Sequence, residues 1–467
     1  MGELFKNYND KVAAIEDNGN KITYSDLFEA GSRVCSYIRK RCLVFSLCTN
    51  TIGSLIGYVG FQNAKIVPVL IAAKLDGGLY KQLLENYHPE YVWAPLDKVE
   101  KTQNFEKVYE NFGYGLYKTQ YEGYPLFQEL GLLLTTSGST GSPKLVRQSY
   151  KNLKANTESI VEYLHIDNAE RPITTLPMNY TYGLSVINTH LYAGATILLT
   201  DRGIMEKEFW NFLKEYKATS IAGVPYTYEM LHKLRFFRMN LPYLKTMTQA
   251  GGKLLPELHR QFAEYAKDNN KQFIVMYGQT EATARMAYLP GNKSLDKYGS
   301  MGIAIPGGRF ELWNLDNQVI TEPNIAGELV YYGDNVTLGY AETGADLIKG
   351  DERNGVLHTG DVAKRDAEGY YYVVGRLKRF LKIFGNRVNL DETERLIKAQ
   401  FGISDCACAG IDDKMKIYLT TVDEKIGADV KSFISKKTGL NSSAFEVFII
   451  DEIPKNDSGK ILYSKLP

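Results

Sequence analysis

Cysteine is scarce in this chain: five in 467 residues, an odd and scattered set. Such a set builds no disulfide framework and suits a reducing compartment. Only Cys406 and Cys408 lie close together. With no second cysteine pair or nearby histidine they complete no ligand set, so they read as small buried strand residues. Neither sign of charge is in excess, since 55 Lys and Arg against 54 Asp and Glu leave a net charge of +1. That balance gives a nucleic acid no general footing. Long apolar runs are missing too. The most apolar stretch, residues 51–73, is broken by Ser54, Gln62, Asn63 and Lys65, and no segment is long and clean enough to span a bilayer. The start, Met1-Gly2-Glu3-Leu4-Phe5-Lys6, lacks the order of a signal peptide, and Lys6 stands where myristoylation needs Ser or Thr. These absences predict a neutral, cytoplasmic globular protein. The length predicts about two to four domains.

Strand-like and helical segments alternate from Lys11 onward. Ala13–Ile15 and Ile22–Tyr24 read as a hairpin turning at Asn18-Gly19-Asn20, and Ser25 is placed to cap the helix that follows. Helices near residues 52–62, 79–87, 152–164, 207–216 and 256–268 interleave with strands near 66–70, 91–94, 219–224, 244–249 and 273–276. This rhythm predicts parallel-rich sheets flanked by helices. Pro177–Gly183 reads as an aromatic-rich turn. After Gly299, short strands between glycines suggest a small antiparallel barrel, and the end of the chain reads as a small α+β unit. The expected domains are 1–376 and 377–467.

A hydroxyl-rich loop, Thr135-Thr136-Ser137-Gly138-Ser139-Thr140-Gly141-Ser142-Pro143-Lys144, follows the apolar run Leu132–Leu134. Small donors and permissive glycines let successive N–H groups surround phosphate oxygens, and Lys144 adds a positive charge. Pro143 disfavours helical geometry at Ser142, and no Gly-Lys-Ser/Thr is present, which separates the loop from the P-loop of the large NTPase class. The same composition also suits a flexible linker. Downstream come Tyr277-Gly278-Gln279-Thr280-Glu281, Thr359-Gly360-Asp361, Gly375-Arg376-Leu377-Lys378, Lys382 to Val388, and Ser458-Gly459-Lys460. An acidic residue after a glycine turn can accept both ribose hydroxyls, although Gly-Asp is also an ordinary turn. The basic run Arg376–Arg379 alone reads equally as a solvated linker.

In this order and spacing the motifs resemble the adenylate-forming superfamily, which holds acyl- and aryl-CoA synthetases, peptide-synthetase adenylation domains and luciferase. The resemblance runs from about Lys11 to Leu466. It implies a large N-terminal domain and a small mobile C-terminal domain, with a hinge at Lys378. It implies nucleotide binding by Thr136, Ser137, Gly138, Ser139, Thr140, Gly141, Lys144, Gly251, Gly252, Tyr277, Gly278, Thr280, Asp361 and Arg376. Tyr277 would stack on adenine and Glu281 would hold Mg²⁺, roles their aromatic face and hard carboxylate oxygens suit. Lys460 would reach the substrate carboxylate and the α-phosphate, and Lys382 would serve the second half-reaction. The acid would lie against Tyr180, Tyr182, Gly183 and Ala250.

The sequence also departs from the family's pattern, at the acid pocket among other places. Leu145 stands where glycine is usual, Tyr150 replaces a common histidine, and Tyr180 sits where CoA synthetases often carry one. Lys253 replaces an acidic or small residue, and Tyr463 an arginine. The expected reaction is ATP-dependent conversion of a carboxylic acid to an acyl-adenylate, then transfer to CoA or to the phosphopantetheine of a separate carrier protein. The chain stops soon after Lys460 with no carrier domain, which predicts a freestanding enzyme. A Walker-type NTPase and a non-catalytic nucleotide-binding sensor or scaffold are the rival readings.

Overall fold

The computed structural model describes residues 4–467 except 103, 136–143, 315, 378, 385, 422, 424 and 456–460. The chain divides into two compact units, Met1–Arg309 with Tyr331–Leu357, and Phe310–Val330 with His358–Pro467. The first unit carries two large sheets. One has nine strands among the described residues. Its middle strands, in spatial order Gln272–Tyr277, Thr246–Gln249, Ser220–Gly223, Pro172–Ile173, Ile197–Leu199 and Val12–Glu16, run parallel. The other has eight strands among the described residues. Four of them, Leu130–Thr135, Val67–Ala72, Leu43–Cys48 and Tyr91–Pro95, form its parallel centre. Antiparallel strands flank both centres, among them Leu145–Ser149 and Gly339–Ala341 beside Leu130–Thr135.

One core joins the two sheets. Val44, Leu70 and Leu132 come from the eight-stranded sheet and Ala14, Ile197 and Leu199 from the nine-stranded one, linked by residues of the helices Tyr24–Ser36 and Ile52–Asn63. The predicted rhythm of parallel strands and helices is the one observed. Local corrections have physical causes. The first helix is capped by Thr23 rather than Ser25: Thr23 Oγ1 accepts the Asp26 N–H at 3.1 Å. The earlier start turns Tyr24 fully inward, where its hydroxyl donates to the Ala195 carbonyl at 2.7 Å.

Pro177–Gly183 is only in part a turn. The turn closes at Tyr180, whose N–H reaches the Pro177 carbonyl at 3.0 Å, and Tyr182 and Gly183 already lie on a helix, Thr181–Tyr192. Residues 181–191 of that helix are all buried. Its polar residues Thr181, Ser185, Asn188 and Thr189 are buried too, and it has no charged, solvent-facing stripe to betray its period.

The second unit holds most of a four-stranded sheet formed by Gly308–Trp313, Ala326–Gly333, Val356–Arg365 and Tyr371–Arg376. It also holds the hairpin Phe380–Ile383 with Asn386–Asn389, and a three-stranded sheet packed with helices Leu390–Phe401 and Ile426–Thr438. Cys406 and Cys408 are buried on a strand of that sheet, and burial pushes the Cys408 thiol well above its usual range. The basic run there is not simply a solvated linker. Arg379 pairs with Asp391 at 2.8 Å and Glu394 at 2.5 Å, and its guanidinium stacks 3.7 Å from the Tyr463 ring centre. No helix among the described residues is long and apolar enough to cross a membrane.

Two buried histidines give the first unit a pH dependence. His259 Nδ1 accepts the Gly299 N–H at 3.2 Å, so its proton sits on Nε2 facing Ser294 Oγ at 2.9 Å. His190 Nδ1 lies 2.8 Å from the Val186 carbonyl inside its helix. Desolvation holds both below their ordinary 6.5, at about 4. Between those values the unfolded chain binds more protons than the folded one. Stability therefore falls as pH drops through that window, by about 1.4 kcal/mol per pH unit for each histidine. Urea unfolding at pH 7, 6 and 5 should show this decline, with a shallower slope in His259→Gln; an equal slope in both proteins contradicts the assignment.

Candidate active site

The segment from Tyr277 to Arg285 is built by a sharp reversal at the end of strand Gln272–Tyr277. Gly278 is required there by close approach, because a β-carbon would fall 1.7 Å from the Ala284 carbonyl oxygen. One turn of 3₁₀ helix, Thr280–Ala282, follows. Thr283 then adopts φ 65° and ψ −39°, a conformation that a β-branched residue rarely takes. The Ala284 N–H closes the turn onto the Ala282 carbonyl at 2.7 Å. Neighbours hold the strain in place. Thr283 Oγ1 donates to the Asn335 carbonyl at 2.7 Å, and Asn335 Nδ2 donates to the carbonyls of Ala282 and Arg285 at 2.9 and 3.0 Å. Thr181 Oγ1 donates to the Thr283 carbonyl.

The reversal presents Glu281 to Tyr340, whose hydroxyl donates to Glu281 Oε1 at 2.7 Å. Burial first, and then the Glu281 charge, push the phenol up to about 12, so it stays a donor at neutral pH. The Glu281 carbonyl accepts from the Thr337 N–H at 3.0 Å, Thr337 Oγ1 at 2.9 Å and Arg353 Nη1 at 3.1 Å. Glu281 Oε2 has no hydrogen-bond partner among the described residues. Two cations face the Tyr340 ring, Lys144 Nζ at 3.7 Å and the Arg353 guanidinium at 4.7 Å from its centre. Lys144 also lies 3.6 Å from Glu342. Lys144 and Glu281, 137 positions apart by their numbers, thus converge on one aromatic ring.

Tyr277 is half-buried, and Gln279 Nε2 donates to its hydroxyl at 3.3 Å. Thr280 is positioned through its backbone, whose carbonyl lies 3.5 Å from the buried Gln148 Nε2. Tyr180, Tyr182 and Ala250 come together in one apolar cluster with Tyr163 and Met276. Gly251 takes φ +85°, and a β-carbon there would meet the Tyr180 hydroxyl at 2.8 Å. Gly252 beside it is exposed. Gly183 packs against the turn before it, where a β-carbon would lie 2.3 Å from the Pro177 carbonyl oxygen. Tyr182 is committed to the core, with its hydroxyl 2.9 Å from both the carbonyl and Oγ1 of Thr248.

In the second unit, Asp361 and Arg376 face each other across a strand pair, with Arg376 Nε donating to Asp361 Oδ1 at 3.1 Å. Asp361 is buried, and its N–H donates to Thr359 Oγ1 at 3.1 Å. Lys382 is exposed on the hairpin, its backbone N–H held by Asp412 Oδ1 at 2.8 Å. Thr136, Ser137, Gly138, Ser139, Thr140, Gly141, Lys378 and Lys460 lie outside the described residues. Nothing in the sequence alone marks Tyr340, Arg353 or Arg285 as a site residue. Only the fold shows what the Tyr340 ring touches.

A family model described as AMP-binding enzyme matches residues 3–341. An oxalate–CoA ligase of Arabidopsis thaliana is 28% identical over 345 residues, covering 71% of this chain and 65% of that protein. A peroxisomal OPC-8:0-CoA ligase of the same plant is 30% identical over 346 residues, covering 72% and 63%. The chain thus spans a little under two-thirds of the length of those relatives. A 2-succinylbenzoate–CoA ligase of Oceanobacillus iheyensis is 25% identical over 488 aligned positions and matches nearly end to end, 98% of this chain and 96% of its own. Among solved structures, an O-succinylbenzoate coenzyme A synthetase of Bacillus subtilis in complex with AMP superposes with a TM-score of 0.79, covering 98% of this chain and 95% of that one. At 21% identity that likeness is one of fold.

The Tyr340 hydroxyl and the Glu281 carboxylate form a discrete pair. Tyr340→Phe should cost about 1.5–3 kcal/mol of stability, the usual worth of a hydrogen bond to a charged group. A double-mutant cycle with Glu281→Gln, read by chemical denaturation, should return a coupling of about 1 kcal/mol; a coupling of zero separates the two residues.

Proposed function

The chain belongs to the AMP-binding enzyme family, within the adenylate-forming superfamily, and from that premise we propose that it activates a carboxylic acid with ATP. The carboxylate oxygen attacks the α-phosphorus, the bond to the bridging oxygen breaks, and pyrophosphate leaves with the electron pair. The acyl-adenylate then meets a thiolate at its acyl carbon, and AMP departs as the thioester forms. The nucleophile of the first step is already ionised, so catalysis needs placement and positive charge more than a base.

The convergence of Lys144 and Glu281 on Tyr340 is the observation that carries this reading. It joins the end of the hydroxyl-rich loop to the acidic end of the Tyr-Gly-Gln-Thr-Glu motif. Magnesium binds through one or two carboxylates and keeps its remaining sites for water and phosphate oxygens. Glu281 fits that role, with Oε1 fixed by Tyr340 and Oε2 unengaged among the described residues. When bound, the ion would neutralise charge building on the phosphoryl oxygens. Residues 136–141 and Lys144 cradle the phosphates, Tyr277 stacks on adenine, Thr280 and the Gly251-Gly252 turn border the nucleotide, and Asp361 holds the ribose with Arg376 beside it. Lys460 brings its ammonium to the carboxylate and the α-phosphate. The small domain then turns about Lys378, Lys460 withdraws, and the hairpin carrying Lys382 takes part in thioester formation.

The names of the relatives support CoA as the acceptor, and carrier-bound phosphopantetheine presents the same thiol. The decisive measurement is ATP–pyrophosphate exchange over a panel of carboxylic acids. Acid-dependent exchange is expected; phosphate release without any acid identifies an NTPase, and nucleotide binding with no turnover identifies a sensor. Lys460→Ala should lower exchange by about a hundredfold or more while sparing thioester formation from supplied acyl-adenylate. Equal loss of both half-reactions overturns the two-posture mechanism.

A further inference from the structure

Arg147 and Arg285 are both buried in the first unit, and only one of them is compensated. Arg147 is fully buried, and every nitrogen of its guanidinium has an acceptor. Nε donates to the Tyr340 carbonyl at 2.9 Å, Nη1 to the Lys349 and Gly350 carbonyls, and Nη2 to the Leu338 carbonyl and the Glu352 carboxylate. Arg285 is 3% exposed and has no carboxylate partner among the described residues. Its Nη2 donates to Ser185 Oγ at 3.0 Å. Its Nη1 has only the Met276 sulfur at 2.7 Å and the Tyr163 hydroxyl at 3.4 Å. Its Nε has no acceptor at all among the described residues. The guanidinium carbon lies 4.6 Å from the centre of the Tyr182 ring, which offers a π-face but no anion.

A guanidinium cannot shed its proton to escape burial, and thioether sulfur is a weak acceptor. Holding a full charge this way costs several kcal/mol unless an anion arrives to meet it. Nor is the group there by slack packing. The Arg285 carbonyl accepts from Asn156 Nδ2 at 2.9 Å and Asn335 Nδ2 at 3.0 Å, which pins the backbone and aims the side chain. Its neighbours Tyr163, Tyr182 and Met276 belong to the apolar cluster that also holds Tyr180 and Ala250, the walls assigned to the acid. Ser185, its one firm partner, borders a small cavity of about 10 Å³ whose mixed lining includes Asn156, Thr181, Asn188 and Thr283 beside Leu153 and Leu184. That is room for roughly one oxygen-sized group.

We propose that Arg285 recognises a second carboxylate at the far end of the substrate, so that the enzyme selects dicarboxylic acids and activates the carboxyl group remote from Arg285. The assignment rests on the adenylation reading above. It makes Arg285 a specificity-determining residue: a buried donor set left unpaired rejects an analogue that lacks the matching acceptor.

The test compares ATP–pyrophosphate exchange with succinate, glutarate and adipate against butyrate, pentanoate and hexanoate, acids of matched carbon count. In the native enzyme the best diacid should exceed its monoacid by about a hundredfold or more in kcat/KM. Arg285→Met, which keeps the bulk without the charge, should lower that ratio at least tenfold, and Arg285→Lys should retain part of it. Diacids, and not monoacids, should also raise the thermal unfolding midpoint of the native protein in the presence of AMP. If no acid of either class supports exchange, the adenylation reading fails. If exchange occurs with matched diacids and monoacids equally preferred, or Arg285→Met keeps the native ratio, the adenylation reading stands and the assignment of Arg285 is wrong. The native comparison decides the matter even if a variant fails to fold.

Discussion

A sealed guanidinium organises the first unit. Arg147 sits on strand Leu145–Ser149 opposite Gly339, and its donors close on the carbonyls of Leu338, Tyr340, Lys349 and Gly350. Desolvation lowers its pKa, opposed by Glu352, which lies about half in solvent. Removing the guanidinium would leave buried carbonyls without a donor, a loss of about 1–3 kcal/mol for each group left unsatisfied. The residues joined are roughly 190 to 205 positions apart in sequence. What they hold is Tyr340. Its backbone is fixed by Arg147, its ring lies under Lys144, and its hydroxyl meets Glu281. Without the guanidinium, the hydroxyl-rich loop and the acidic motif would have no shared reference point.

Much of this architecture is legible in the sequence, and the illegible parts share a cause. Segments half in water announce themselves. Helix Pro256–Asp268 was expected at those bounds because its buried Leu258, Phe262 and Ala266 alternate with charge. Helix Thr181–Tyr192 is surrounded, carries no Asp, Glu, Lys or Arg, and passes in sequence for a turn that takes Tyr182 and Gly183 with it. Helix Pro225–Lys233 was missed although proline stands at its first position. The cap at Thr23 was misplaced by two residues because both Thr23 and Ser25 can cap, and only the burial of Tyr24 chooses between them.

The site was legible as a series of motifs but not as a set of contacts. Glu281 could be picked out by its place in Tyr-Gly-Gln-Thr-Glu, whereas Tyr340 could not, since its pairing with Glu281 depends on a 3₁₀ turn meeting a strand some sixty positions away. Arg376–Arg379 gives the same lesson in the second unit. A run with three basic residues in four reads as solvated, yet Arg379 is enclosed by Asp391, Glu394 and Tyr463. Composition states how many charges there are; it does not state which of them are compensated.

The strained residue at the centre of the first unit ties these points together. Thr283 stands between Glu281 and Arg285, and its positive φ reverses the chain so that residues only four apart face different surroundings. Glu281 turns to Tyr340 and Arg353, and Arg285 turns to Tyr163, Tyr182 and Met276. A relaxed helical turn would place residues four apart on one face. An acid and a base so close would then neutralise each other, and neither would be left for a substrate. Strain of this kind costs of order 1–3 kcal/mol and persists only where the surroundings over-determine it. The bonds from Asn335, Thr181 and the Thr283 hydroxyl supply that over-determination. The unusual backbone at Thr283 is therefore what keeps an available carboxylate and an uncompensated guanidinium apart within five residues of chain.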